Sequence, residues 1–387
     1  MNDNEISKIN LEKLNSINEI KTSKYYREKN SKNYYKLFNT QNILILIMII
    51  LQLIIIYALK IDKHIFYHKE LINTTNNSNT DKNNKNLRIY DTNFNYEDFD
   101  TEIITEKIIR DSGWIITLDE ARFINGIIRK NKLKNLLEIG VAHGGSSVLM
   151  LNAIKDFEDS ILVSLDLNKE LYDDPSKLTG YRVNQYFPEL TKNWKLYTGD
   201  QPHKFLDRLN MTFDFLFLDT AHISPGEIIN IIEALPFLNE NAIVVIHDIL
   251  LHFSKVKNNK FFPSCISLLP TLFGDKIFLN RNRGYIQNIG AVFLYPNQEE
   301  HYLDYFLLLL NFWEYIPTDD QLNDLRIFIN KYYKNKFYTN IFNVAVNENK
   351  KANNIFMKYI NSLGDKNNSI SQEHKRNFSN YNYMKNY

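Results

Sequence analysis

Between residues 100 and 296 short apolar runs alternate with longer segments whose apolar positions recur at helical spacing. The runs Leu136–Ile139, Ile161–Leu165, Trp194–Tyr197, Phe213–Leu218 and Ala242–Ile246 are each bounded by polar residues. Such continuous runs predict strands buried on both faces, as in a parallel sheet with helical crossovers. Helices are predicted between and before them, over Glu102–Asp111, Thr117–Lys130, Val148–Ala153 and Gly226–Leu235. In the second of these, Leu118, Ala121, Ile124 and Ile127–Ile128 lie on one side. Two further strands, Lys276–Leu279 and Gly290–Tyr295, flank the turn-like Asn280–Gly284 and predict an antiparallel hairpin at the sheet edge.

Outside this region the pattern changes. The segment Ile43–Leu59, ILILIMIILQLIIIYAL, carries no charge and is apolar all round. Seventeen residues rise about 26 Å, at the short end of what spans a bilayer core. Extended past Lys60 to Ile61, it predicts a transmembrane helix over 43–61. A polar N-terminal segment (1–42) precedes it, in which Leu11, Leu14 and Ile17 have the spacing of a short amphipathic helix. A stalk (62–99) follows, containing the low-complexity stretch Asn73–Asn86, which has too little apolar surface to fold. The predicted organisation is completed by a folded domain over 100–296, a helical extension over 297–362 and a loose tail over 363–387. In the extension, His301–Ile316 is too short and too interrupted by Asp304 and Glu314 to cross a membrane. Its aromatics are expected in the core.

Composition narrows the function. Of the 387 residues, 46 are Lys or Arg and 45 are Asp or Glu, a net charge of +1 that disfavours a general nucleic-acid binder. No N/D-P-P-Y-type acceptor motif is present either. The single cysteine, Cys265, excludes an intrachain disulfide and a cysteine-built zinc site.

Candidate chemistry gathers at the carboxyl ends of the predicted strands, where open α/β sheets bind ligands. The residues are Glu138 and Gly140, Asp166, Asp200, Asp219, and His247 with Asp248. The first loop reads L-L-E-I-G-V-A-H-G-G-S-S, Leu136 to Ser147. Gly140 permits a tight turn and a close approach, and Gly144-Gly145 opens a helix whose N–H groups face outward. Ala142 stands where a dinucleotide fingerprint has its second glycine, which counts against a nicotinamide-dependent oxidoreductase. Asp166 follows Gly140 by 26 positions, near where an acid reaches a ribose.

These features, with Gly199-Asp200, F-D-F-L-F-L-D-T-A-H (Phe213–His222) and I-V-V-I-H-D (Ile243–Asp248), resemble the class I S-adenosylmethionine-dependent methyltransferases. The likeness covers about 130–296 and points to the small-molecule and sugar O-methyltransferase branch, with D-x-x-H after strand four. The resemblance implies a seven-stranded, mostly parallel, doubly wound α/β sheet of Rossmann-like type with its last strand antiparallel. It implies that Glu138, Gly140 and Gly144 hold the methionine part of S-adenosylmethionine, Asp166 its ribose and Asp200 its adenine. Asp219 and Asp248 would share a divalent cation, Mg2+ in many members of the branch, or His222 or His247 would instead serve as general base. His247 takes the first place of the usual acidic pair after strand five, which leaves both routes open. The expected function is therefore a membrane-anchored methyltransferase acting on an oxygen of a small molecule or glycan. The alternative is a catalytically silent, anchored binding module.

Orientation sets two arguments against each other. Lys24, Arg27, Lys29, Lys32 and Lys36 precede the apolar segment, against Lys60, Lys63 and Lys69 after it, a small bias toward a cytoplasmic N-terminus. S-adenosylmethionine is a charged cytosolic metabolite that does not cross a bilayer unaided, and this demand outweighs so thin a margin. The expected topology is single-pass with the catalytic domain in the cytosol. Protease added to sealed cells should spare the C-terminal domain, and its loss from intact cells would reverse the assignment.

Overall fold

The computed structural model describes residues 104–107, 116–220, 222–249, 264–279 and 288–364, all within a compact unit spanning Leu87–Tyr387. The segments 1–42, 43–61 and 62–99 and the tail beyond residue 364 lie outside the described residues. Among those described, no helix is long and apolar enough to cross a membrane.

Helix α1 (Leu118–Lys130) begins where Thr117 and Glu120 close a capping box. Strand β1 (Asn135–Ile139) leads through the glycine loop into α2 (Gly145–Ile154), then β2 (Ile161–Asp166), α3 (Tyr181–Tyr186) and β3 (Trp194–Thr198). There follow α4 (Pro202–Leu209), β4 (Phe213–Leu218), α5 (Gly226–Ala234), β5 (Leu238–His247) and α6 (Ser264–Thr271). Strands β6 (Gly274–Phe278) and β7 (Ile289–Leu294) complete a seven-stranded sheet of order β3-β2-β1-β4-β5-β7-β6. The first five strands are parallel, and β7 runs antiparallel to both its neighbours. The hairpin expected at the edge is thus present, with its second strand inserted beside β5.

Side chains alternate across the strands and separate the core into two layers. Leu136, Leu162, Phe215, Phe217 and Val245 pack with α1 and α2 on one side. Leu137, Val163, Leu216, Leu218 and Val244 pack with α5 on the other. Helices on both faces of a parallel sheet make the doubly wound arrangement.

The C-terminal extension shares the second layer. The stretch 301–316 forms one short helix, α7 (Tyr302–Leu307), with 3-10 turns before and after it; α8 (Asp319–Tyr332) and α9 (Lys336–Gly364) follow. Tyr305, Phe306 and Trp313 are fully buried in one cluster with strand residues. The Trp313 indole donates to the Leu309 carbonyl at 2.7 Å, and the Trp313 N–H donates to Asn349 Oδ1, also at 2.7 Å. This ties α9 to the chain entering α8. Trp313→Ala should cost about 3–5 kcal/mol of stability, read as a lower urea midpoint. A loss under 1 kcal/mol would show that the extension is only loosely joined to the sheet.

Candidate active site

The strand register sets one level for the chemistry. Ile139 pairs with both Leu165 and Leu218, and Leu218 with Ile246. Each strand's next residue, Gly140, Asp166, Asp219 and His247 in turn, therefore emerges at the same height along the carboxyl edge. Gly140 has φ +93°, and a Cβ there would lie 1.8 Å from the Asp219 carbonyl oxygen. Only glycine allows the glycine loop and the end of β4 to approach this closely. Gly144 caps α2 in the left-handed region at φ 88° with no side-chain cap bond, so the first N–H groups of α2 are not bonded by a capping side chain.

The acids of the first two strands are engaged with the protein itself. Glu138 is fully buried and accepts from the hydroxyls of Ser146, Ser147 (2.6 Å) and Ser164 (2.6 Å). The indole of Trp194 donates in turn to Ser164 at 2.8 Å. Burial pushes the Glu138 carboxyl up to about 7 against the pull of those three hydroxyls, with the Asp219 charge adding to the rise. Its carboxylate thereby ties β1, α2 and β2 together beneath the loop. Asp166 Oδ2 accepts from the N–H groups of Val141 (2.8 Å) and Ala142 (3.0 Å), and its Oδ1 from Asn168 (2.8 Å). Burial raises its pKa although these three bonds oppose the rise. A carboxylate has about four lone-pair sites, so room remains for one further donor. Asp200, after β3, accepts from the Gln201 N–H at 2.9 Å and pairs with Lys204 at 3.0 Å. Lys204 also pairs with Asp324 of α8 at 2.8 Å.

Asp219, His222, His247 and Asp248 converge at the ends of β4 and β5. His222 Nε2 lies 3.3 Å from Asp219 Oδ1 and 3.1 Å from Asp248 Oδ2. His247 Nδ1 lies 3.3 Å from Asp219 Oδ2 and 3.7 Å from Asp248 Oδ1. Each carboxylate thus turns one oxygen to each imidazole. One oxygen of Asp219, one of Asp248 and one ring nitrogen of His247 all lie within 4.8 Å of one another, a spacing suited to a metal ion. The arrangement is held under backbone strain. Ala142, His222 and Asp248 have φ of 45°, 58° and 53°, a region non-glycine residues seldom adopt and one often found at functional sites.

Three partners at this site carry no signature in the sequence. Glu120, fixed by the Thr117 N–H and hydroxyl at 2.8 Å each, reaches His247 Nε2 at 3.7 Å. Its T-x-x-E spacing marks a helix start, and nothing in it marks an approach to a histidine 127 positions later. Buried Glu227 of α5 accepts from the His222 N–H and from Thr220 (3.1 Å), and stands 3.7 Å from His222 Nδ1. Asn288 donates to Asp248.

Burial and neighbouring charges oppose each other inside the cluster. Burial is the largest influence on His247 and disfavours its charge, yet Asp219, Glu120 and Asp248 together hold its pKa well above the ordinary 6.5. Burial likewise works against the Asp219 carboxylate, but His247 and His222 outweigh it and keep its pKa below 3.8.

A family model described as a methyltransferase domain matches residues 137–249. No curated protein matches the chain. Solved structures similar to it include the O-methyltransferase TomG of Streptomyces achromogenes, involved in tomaymycin synthesis and in complex with S-adenosylmethionine. It is 17% identical over 51% of this chain and 91% of its own, with a TM-score of 0.38. An O-methyltransferase of Bacillus cereus in complex with S-adenosylhomocysteine is 16% identical over 51% and 91%, with a TM-score of 0.39.

The opposed shifts define a stability window. His247, with its pKa raised on folding, stabilises the fold fully below the unfolded value near 6.5. That contribution is lost as pH rises through the folded value. Asp219, with its pKa lowered, contributes above its unfolded value near 3.8 and is lost as pH falls through the folded one. Urea denaturation in EDTA should therefore show stability declining on the alkaline side of 6.5, and His247→Asn should remove that decline. An unchanged alkaline slope in the variant would exclude His247 as its source.

Proposed function

We propose that this chain, whose residues 137–249 match a family model described as a methyltransferase domain, moves the methyl group of S-adenosylmethionine to an oxygen of a small molecule or glycan near a membrane surface. The observation that carries the reading is the meeting of the glycine loop with the acid–histidine cluster, where Gly140 stands against the Asp219 carbonyl. A cofactor seated on that loop would have its reactive end beside groups able to orient and deprotonate an acceptor.

The chemistry follows from that placement. S-adenosylmethionine supplies an electrophilic methyl on a sulfonium, and its transfer needs an aligned oxygen nucleophile more than it needs covalent catalysis. The α2 N-terminus, its N–H groups lacking a capping side chain, suits the carboxylate end of the methionine part. Asp166 fixes the loop through Val141 and Ala142 and keeps one acceptor site for a ribose hydroxyl. Asp200, braced by Lys204, is assigned to the adenine end. At the acceptor end the hydroxyl must lose its proton, and His222 is assigned to take it at Nε2. Glu227 holds the His222 backbone and faces the other ring nitrogen.

Asp219, Asp248 and His247 suit a divalent cation, since neither buried ring nitrogen of His247 has a hydrogen-bond partner. When bound, the ion would polarise the acceptor oxygen. The apolar segment Ile43–Leu59 supports work close to a bilayer, on an acceptor delivered there, and the cytosolic supply of S-adenosylmethionine supports a catalytic domain on the cytosolic side.

Calorimetry on the purified full-length chain should detect S-adenosylmethionine binding. Asp166→Ala, which leaves the Val141 and Ala142 amides without their acceptor, should weaken it about a hundredfold. Absence of binding by the folded wild-type protein would overturn the methyltransferase reading. Unchanged affinity in the variant would remove Asp166 from the site.

A further inference from the structure

We infer that the cation site between β4 and β5 is built for a nitrogen-accepting divalent ion of the manganese, cobalt or zinc kind in preference to magnesium. His247 Nδ1 is its third ligand, and Glu120 is the partner of the other ring nitrogen. This inference rests on the cation reading above and adds to it the identity of the ion and two residues that select it.

The donor set is the first argument. Magnesium favours oxygen ligands in near-ideal octahedra and usually keeps several waters. Imidazole nitrogen suits the first-row transition ions and zinc. At the last position of β5 this chain places a histidine, and its ring stands beside the carboxylate pair. Nδ1 stands 3.3 Å from Asp219 Oδ2 and 3.7 Å from Asp248 Oδ1. Two ligands on one ion at bonds of about 2.1 Å are roughly 3.0–3.4 Å apart in octahedral and tetrahedral arrangements. Small closures bring all three atoms onto a shared ion.

The second argument is the environment of the imidazole. His247 is only 7% exposed, and neither of its ring nitrogens has a hydrogen-bond partner. Buried polar atoms are costly without partners. An ion on Nδ1 requires the tautomer that carries its proton on Nε2, and Nε2 is turned toward Glu120 Oε2 at 3.7 Å. A carboxylate behind a ligating histidine fixes the tautomer and raises the ligand's basicity. Glu120 is pre-positioned for this by Thr117, whose N–H and hydroxyl both donate to the oxygen that faces the ring.

The test is direct metal binding by purified full-length protein stripped with EDTA and titrated calorimetrically with MnCl2, CoCl2 and MgCl2. The expected result is manganese and cobalt binding at least tenfold tighter than magnesium. His247→Asp should shrink that preference about tenfold. Glu120→Gln keeps the capping box, since Gln also serves at that position, while removing the carboxylate charge. It should weaken manganese binding about tenfold with an unchanged melting temperature, and it keeps the test open if His247→Asp fails to fold. Equal affinity for manganese and magnesium, or a preference untouched in both variants, would overturn the inference. If no cation binds while S-adenosylmethionine does, this inference fails and the methyltransferase reading stands. If manganese binds selectively and S-adenosylmethionine does not, the reverse holds.

Discussion

Two carboxylates, Asp219 and Asp248, stand together at the ends of adjacent strands, and like charges that close cannot both persist without positive charge between them. His247 answers that need, its pKa held well above the ordinary value by the acids around it. His222 and His247 each face one oxygen of each carboxylate. The balance reaches outward, because each histidine has a further acid behind it, Glu227 for one and Glu120 for the other. These two acids come from different helices, so the electrostatics of the cluster depend on how α1 and α5 pack against the sheet.

The same constraint explains the backbone around the site. His222 and Asp248 accept positive φ, at a cost of order 1–3 kcal/mol each, and the surrounding contacts hold them there. Gly140 is required because Asp219 cannot take its place unless the glycine loop passes within van der Waals reach of its carbonyl. The loop in turn is held from below by Glu138 with its hydroxyls and from the side by Asp166. The glycine loop and the acid–histidine cluster are thus one mechanical unit. A substitution that loosens the loop would also displace the acids at the ends of β4 and β5.

The C-terminal extension belongs to this unit as well. Its aromatics share the core layer of α5, and Asp324 of α8 braces Lys204 against Asp200. These last contacts are partly solvent-exposed and contribute little stability. The buried Trp313 and Tyr305 provide the attachment.

The alternation of apolar runs and helical segments was enough to read the parallel strands, their order in the chain and the edge hairpin, because burial on both faces leaves a continuous apolar signature. The strand-end placement of Asp166, Asp219 and Asp248 was legible for the same reason, since a polar residue directly after a buried run marks where the sheet meets solvent. The extension over 297–362 was expected to be helical, but the bounds and packing of α8 and α9 were not legible, as their apolar stripes are mixed with many polar positions. Nor was the insertion of β7 beside β5, because hydrophobic pattern identifies a strand without naming its neighbours. Above all, the sequence showed which acids and histidines stand at strand ends, while only the tertiary structure decided what each one faces. It turned the oxygens of Glu138 and Asp166 inward onto hydroxyls and backbone amides and brought Glu120 to His247 across 127 positions. Side-chain direction depends on strand register and helix packing, which are long-range properties that local sequence does not encode.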